Sequence, residues 1–134
     1  MTNDRVLDTN RLINHWYESL GNRQWRQITE SQVIKWAKVL IRLSGTDGIL
    51  TPIRIEFLCA VHSQRQYELS IAYLSEFRIY DEGKISKADW DLAERRASRI
   101  PRDGLRRQLA DCLIRTIADR LNCDVLTSDR RFPH

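Results

Sequence analysis

The stretch Arg5-Val6-Leu7-Asp8-Thr9-Asn10-Arg11-Leu12-Ile13-Asn14-His15-Trp16 decides the fold. A short apolar strand, Arg5 to Asp8, closes on a carboxylate. Thr9 stands where a side-chain oxygen caps a helix, and the helix runs from Asn10 to Leu20. Gly21-Asn22 stops it. A strand passing straight into a longer amphipathic helix is half of a β-α-β unit, and the pattern recurs along the chain.

Working outward, Thr29 with Gln32 three residues on forms a capping box. It opens a helix with Val33, Trp36, Ala37, Leu40 and Ile41 on one face, ended by Gly45. The second strand is Ile49 to Thr51, and Pro52 suits a loop or a helix's first turn. A helical stretch follows from Arg54 to Glu76, with a break near Ser63. The third strand, Phe77 to Tyr80, is stopped by Asp81-Glu82-Gly83. Ser86 caps a helix with Ala88, Leu92 and Ala93 inward. After a turn at Pro101 to Gly104, a helix spans Leu105 to Leu121. Its broad apolar face is Leu105, Leu109, Cys112, Leu113, Thr116, Ile117 and Leu121. Ile114 and Ala118 lie on its other side, so it is buried on more than one face. The fourth strand is Asp124 to Thr127. Strands alternating with helices predict an α/β fold, a parallel sheet covered by helices.

With 134 residues, 42% of them hydrophobic and 30% charged, the chain reads as one globular domain spanning 1–134. No apolar run approaches the roughly 20 residues that span a bilayer, and the N-terminus lacks the apolar stretch of a signal peptide. The net charge is +4, with 18 arginines against 4 lysines. Arginine forks onto phosphate and stacks on bases, so the balance hints at nucleic acid; genomic composition bias or surface solubility accounts for it equally. Cys59, Cys112 and Cys123 are odd in number and far apart. They read as reduced core cysteines of a cytoplasmic protein. His15, His62 and His134 are isolated, and no Gly-rich phosphate loop is present.

Function in open parallel sheets gathers at the C-terminal ends of the strands. Asp8 closes the first strand, Glu56 follows the second by one helical turn, and Asp129 follows the fourth. Asp111, on the last helix, shares a side with Ile114 and Ala118 and is expected to be less exposed than most helical acids. Each acid alone has a bland reading: a helix cap for Asp8, a dipole partner for Glu56, a solvated side chain for Asp111, a turn former for Asp129. Gathered carboxylates repel, and a close group implies a cation. Oxygen ligands suit Mg²⁺ or Mn²⁺, and such ions assist phosphodiester cleavage.

Val6-Leu7-Asp8-Thr9-Asn10, Thr51-Pro52-Ile53-Arg54-Ile55-Glu56-Phe57, Leu109-Ala110-Asp111 and Leu126-Thr127-Ser128-Asp129-Arg130 together resemble the PIN-domain nucleases, in the right order and over essentially the whole chain. The nearest group is the VapC-type toxins of toxin–antitoxin pairs. The resemblance implies a three-layer α/β/α sandwich with a central parallel sheet of four or five strands. It implies a metal-dependent endoribonuclease with Asp8, Glu56, Asp111 and Asp129 as the catalytic, metal-binding quartet, holding Mg²⁺ or Mn²⁺. Asn10 and Ser128 would be polar support, Thr127 the alternative to Ser128, and Thr9 a turn or cap residue. The sequence departs from the family in Arg115, one turn after the third acid, which docks on phosphate or pairs with Asp111 or Asp119. Asp119 is an extra acid or half of a surface salt bridge. An edge strand after the fourth is also missing or supplied otherwise.

The substrate implied is RNA (tRNA, rRNA or mRNA), tracked by Arg11, Arg115, Arg130 and Arg131. The pairs Arg95-Arg96 and Arg106-Arg107 lie further out or form a solvated helix face. Trp16, Trp25, Trp36 and Trp90 stack bases or pack the core. A VapB-like antitoxin, a homodimer and no membrane are the partner expectations, with the helices between Asn10 and Leu43 gripping the antitoxin through apolar residues such as Leu12, Ile13 and Trp16, or these residues buried in the chain's own core. The alternative function is a catalytically silent PIN-like RNA-binding or regulatory module. DNA flap cleavage is a variant of the nuclease reading; phosphotransfer through an Asp nucleophile is a third class, opposed by Asn10 where a second acid would stand and by the lack of a phosphate-binding Lys after a strand.

Overall fold

Val6 and Leu7 have no exposed surface, and the strand that carries them, β1 (Asp4–Leu7), lies inside the sheet. The computed structural model describes residues 4–98 and 109–127. After β1 come α1 (Thr9–Leu20), a 3₁₀ turn (Trp25–Gln27), α2 (Glu30–Ser44), β2 (Gly48–Ile49), α3 (Thr51–Cys59), α4 (Gln64–Leu74), β3 (Arg78–Ile79), α5 (Lys87–Ala97), α6 (Leu109–Arg120) and β4 (Cys123–Leu126). The four strands are parallel in the order β3-β2-β1-β4, and the flanking helices complete a three-layer α/β/α arrangement. Register runs from Asp4 opposite Cys123 to Leu7 opposite Leu126. Their C-terminal ends therefore share one rim.

Local chemistry sets the boundaries. In α2, Gln32 N–H donates to Thr29 Oγ1 at 3.2 Å and Thr29 N–H donates to Gln32 Oε1 at 2.8 Å, satisfying two N-terminal donors reciprocally. Gly45 closes α2 in the left-handed region at φ 70°, where a Cβ is strained. The predicted break falls between α3 and α4, and Ser63 caps α4 by accepting from Gln66 N–H. The second strand is Gly48–Ile49, earlier than expected, because α3 already begins at Thr51 with Pro52 in its first turn. Gly48 cannot carry a side chain: a Cβ there would stand 2.8 Å from the Tyr80 ring and 2.9 Å from Arg5 O.

The core centres on Trp16, with ring centroids 4.8 Å from Trp25 and Tyr73, 5.4 Å from Phe57 and 5.7 Å from Trp36. Truncating such a ring costs about 3–5 kcal/mol. Leu12 and Trp16 therefore belong to the chain's own interior, which decides for core packing over a partner grip and, for Trp16, over base stacking. Trp25 and Trp36 are half-buried against the core, Ile13 likewise, and Trp90 is exposed.

Three further expectations are corrected. Leu92 and Ala88 point outward and Asp89 inward, because Asp89 accepts from Ser86 N–H at 3.0 Å and from Arg120 Nε at 2.9 Å. Leu109 is exposed, although α6 is buried on more than one face, with Cys112, Leu113, Ile114, Thr116, Ile117 and Ala118 all inside. Cys59 is exposed at the end of α3, whereas Cys112 and Cys123 are buried. Leu105 and the Pro101 to Gly104 turn lie outside the described residues, as does any fifth strand over 128–134.

Candidate functional site

Asp8 follows β1 directly. Its N–H donates to Leu126 O at 3.0 Å, and its carbonyl accepts from Arg11 N–H at 3.1 Å. The backbone thus ends the β1–β4 ladder and starts α1 in a single residue. Asp8 occupies the N-cap position, yet its side chain makes no cap hydrogen bond, so the cap reading does not explain the carboxylate. Instead Thr127 Oγ1 donates to Asp8 Oδ2 at 2.6 Å. The carboxylate is 3% exposed.

A carboxylate only accepts, so the single Thr127 hydroxyl proton is committed to Asp8. Asn10 must then donate to Thr127, and its Nδ2 does so at 3.3 Å. That orients the amide and leaves Asn10 Oδ1 buried without a hydrogen-bond partner among the described residues. Thr127, the alternative to Ser128 in the sequence, does reach Asp8. Ser128 lies outside the described residues.

Glu56 arrives from α3, which packs against α1. Thr9 is the first residue of α1, not its cap, and its hydroxyl donates to Glu56 Oε1 at 2.7 Å. Burial pushes the Glu56 carboxyl above its ordinary pKa, Thr9 pulls it down, and the negative charge of Asp8 pushes it up again; the net shift is upward. The two acids therefore feel one another across the α1–α3 junction, and Glu56 has no ion-pair partner among the described residues.

Asp81 was read only as part of a turn. At the end of β3, it is 3% exposed and accepts from Thr51 N–H at 2.9 Å and Thr51 Oγ1 at 3.0 Å. It satisfies a free donor at the N-terminus of α3 and so fixes the helix that carries Glu56. The signal was an acid just after one strand and a threonine just after its neighbour.

Asp111 lies in the first turn of α6, 7% exposed, on the side that carries the fully buried Ile114 and Ala118. Asp129, Arg130, Arg131, Arg106 and Arg107 lie outside the described residues. Arg11 is exposed at the rim. Arg115 takes the pairing that was one of its two readings: it donates to Asp119 Oδ1 at 2.7 Å and to Cys123 O at 3.2 Å, at the start of β4. Arg96 also pairs with Asp119, so that acid belongs to a salt bridge.

The PIN domain family matches residues 5–134. The chain belongs to the PIN domain family. PIN domains are generally nucleases, usually work with divalent metal ions and bind nucleic acid. No curated protein and no solved structure matches the chain. No helix among the described residues is long and apolar enough to cross a membrane.

The donor set of this PIN domain suits a hard cation in kind. Asp8 and Glu56 offer carboxylate oxygens that repel each other, and Asn10 Oδ1 is a buried acceptor that lacks a donor among the described residues. Mg²⁺ needs only one or two carboxylates when waters and substrate phosphates complete its shell. Among the described residues, no three His, Cys, Asp or Glu side chains are grouped so as to hold a metal ion.

Proposed function

We propose that the chain is one PIN domain over residues 1–134, acting as a metal-dependent endoribonuclease and as the toxin of a VapC-type toxin–antitoxin pair. The observation that carries the reading is the buried Asp8 carboxylate, fixed by Thr127 at the sheet's rim, beside a Glu56 whose proton affinity rises with burial and with Asp8's charge. Asp8, Glu56, Asp111 and Asp129 would hold Mg²⁺ or Mn²⁺. When bound, the ion supplies charge stabilisation at phosphate oxygens and a more acidic water.

The chain's own residues do the positioning. Thr127 and Asn10 fix the direction of the Asp8 oxygens, and Thr9 fixes Glu56. Half-burial at Glu56 limits competing water, which strengthens charge interactions there. Arg11, Arg130 and Arg131 would track the RNA backbone of tRNA, rRNA or mRNA. A VapB-like antitoxin, a homodimer and a cytoplasmic location complete the reading.

The second reading is a catalytically silent RNA-binding or regulatory module. Cleavage of labelled tRNA and rRNA with Mg²⁺, Mn²⁺ or EDTA separates the two, comparing wild type with Asp8→Asn. Metal-dependent cutting that the variant loses supports the enzyme. Absence of both cutting and metal binding by calorimetry overturns it.

A further inference from the structure

The chain's basic residues are unevenly distributed. Between Gly21 and Thr46 stand Arg23, Arg26, Lys35, Lys38 and Arg42 against one acid, Glu30. That excess of four equals the whole chain's +4, so all other residues together are electrically balanced. The excess is also organised. Lys35, Lys38 and Arg42 are spaced i, i+3, i+7 on α2, which puts them on one side of the helix. All three are exposed.

These three share with Arg5, Arg11, Arg26, Arg54, Arg78 and Arg95 the lack of an ion pair among the described residues; their close spacing on one helix side sets them apart. The ion pairs among the described residues join Arg65 to Glu68, Lys84 to Glu82, Lys87 to Asp91, Arg96 and Arg115 to Asp119, and Arg120 to Asp89. None involves α2. Arg23 is committed to backbone carbonyls and to the Trp36 ring, so it anchors the segment before α2. Lys35, Lys38 and Arg42 have neither an ion pair nor a hydrogen bond among the described residues. Three adjacent cations without counter-charges repel one another, and a polyanion relieves that repulsion.

We propose that the Lys35–Lys38–Arg42 side of α2 is a docking surface for the phosphate backbone of RNA, separate from the acidic rim. The inference rests on the ribonuclease reading for its choice of RNA. Charge complementarity carries it, together with residue type: lysine is depleted at protein–protein interfaces, whereas cations on a helix neutralise phosphates readily. Recognition there is by backbone charge, independent of base sequence. Val39 and Leu43, exposed on the flank of the same side, make a second copy of the chain the competing occupant.

The test is the triple variant Lys35→Gln/Lys38→Gln/Arg42→Gln, with Arg65→Gln/Lys84→Gln/Lys87→Gln as a control that removes as many cations from paired positions. Binding of total tRNA is measured by fluorescence anisotropy with EDTA present, across a salt series. Removing three phosphate contacts lowers the slope of log affinity against log salt by about 2–3 and weakens binding by roughly 10- to 100-fold at ~0.1 M salt, whereas the control changes little. Equal losses in both variants, or an unchanged slope in the α2 variant, overturn the proposal. So does conversion of an oligomer to monomer by the α2 variant, which assigns the face to a second copy. Because the assay reads binding without metal, failure of the nuclease reading shows separately, as an absence of cutting by wild type.

Discussion

Replacing Thr127 with valine removes a hydroxyl and keeps the shape of the side chain. In the native protein that hydroxyl donates to Asp8 Oδ2 at 2.6 Å and accepts from Asn10 Nδ2 at 3.3 Å. Hydrogen bonds to charged groups contribute about 1.5–3 kcal/mol, and removing one partner leaves the buried acceptor desolvated. Asp8 is 3% exposed, so water cannot readily replace the donor. The expected loss is about 2 kcal/mol, at the middle of that range. Urea unfolding in EDTA measures it, with Thr127→Ser as the variant that restores the hydroxyl and most of the stability. The same contact aims a carboxylate proposed to hold a cation, so affinity for Mn²⁺ falls by roughly 10- to 100-fold on calorimetric titration. If Thr127→Val unfolds within about 0.5 kcal/mol of wild type, as an inert surface change does, the hydroxyl does not hold Asp8 and the site's geometry is misread.

Other predictions concern the surroundings of the site. Asp89 is 1% exposed, and although burial alone pushes its carboxyl up, Arg120 and the Ser86 backbone and hydroxyl outweigh that and hold its pKa low. Its stabilisation is therefore complete above the unfolded carboxyl pKa and lost as pH falls through the native one. Asp89→Ala costs about 2–4 kcal/mol in urea unfolding, and the acid limb of the stability profile flattens. Glu56 has the opposite sign: its native pKa is raised, chiefly by burial, so metal-free stability falls as pH rises from the unfolded carboxyl range through the native value. Glu56→Gln removes that fall, and an unchanged pH profile by thermal melting refutes the assignment. Among the thiols, a disulfide reagent modifies Cys59 alone in the native protein and reaches Cys112 and Cys123 only in denaturant; fast native labelling at Cys112 would contradict its burial in the core.

The β-α alternation was legible in the sequence because boundary residues act locally. Thr29–Gln32, Ser63 and Ser86 satisfy helix N–H groups within a few residues, so spacing alone reveals them. Asp8 was legible for a related reason, since an acid ending an apolar strand reaches the sheet's rim. Contacts distant in sequence were less legible. Nothing near Thr9 indicates that its hydroxyl reaches Glu56, 47 residues away, and no local pattern ranks Thr127 above Ser128. Helix-wheel reasoning failed at Leu92 and Leu109 because it assumes that apolar side chains determine the inner side. In α5 the buried Asp89, paired with an exposed Arg120, determines it instead. The same reasoning placed Cys59 inside, although α3 ends there and leaves it exposed. Arg115's pairing with Asp119 was among the readings its i, i+4 spacing offered, whereas its contact with Cys123 O was not legible because it depends on where β4 begins.

The pairing of β1 with β4 has a consequence for biosynthesis. Asp8 meets Thr127 across 119 positions of sequence, so the carboxylate leaves the ribosome long before the hydroxyl that aims it. Until β4 emerges, β1 lacks its neighbour on that side and Asp8 lacks Leu126's carbonyl. Closing so distant a contact is entropically slow compared with forming any of the helices. A nascent chain interrupted before β4 therefore has no assembled rim to act with. Under the proposed ribonuclease reading, this delays activity until translation has passed Thr127, and the machinery making the chain is shielded from it until then.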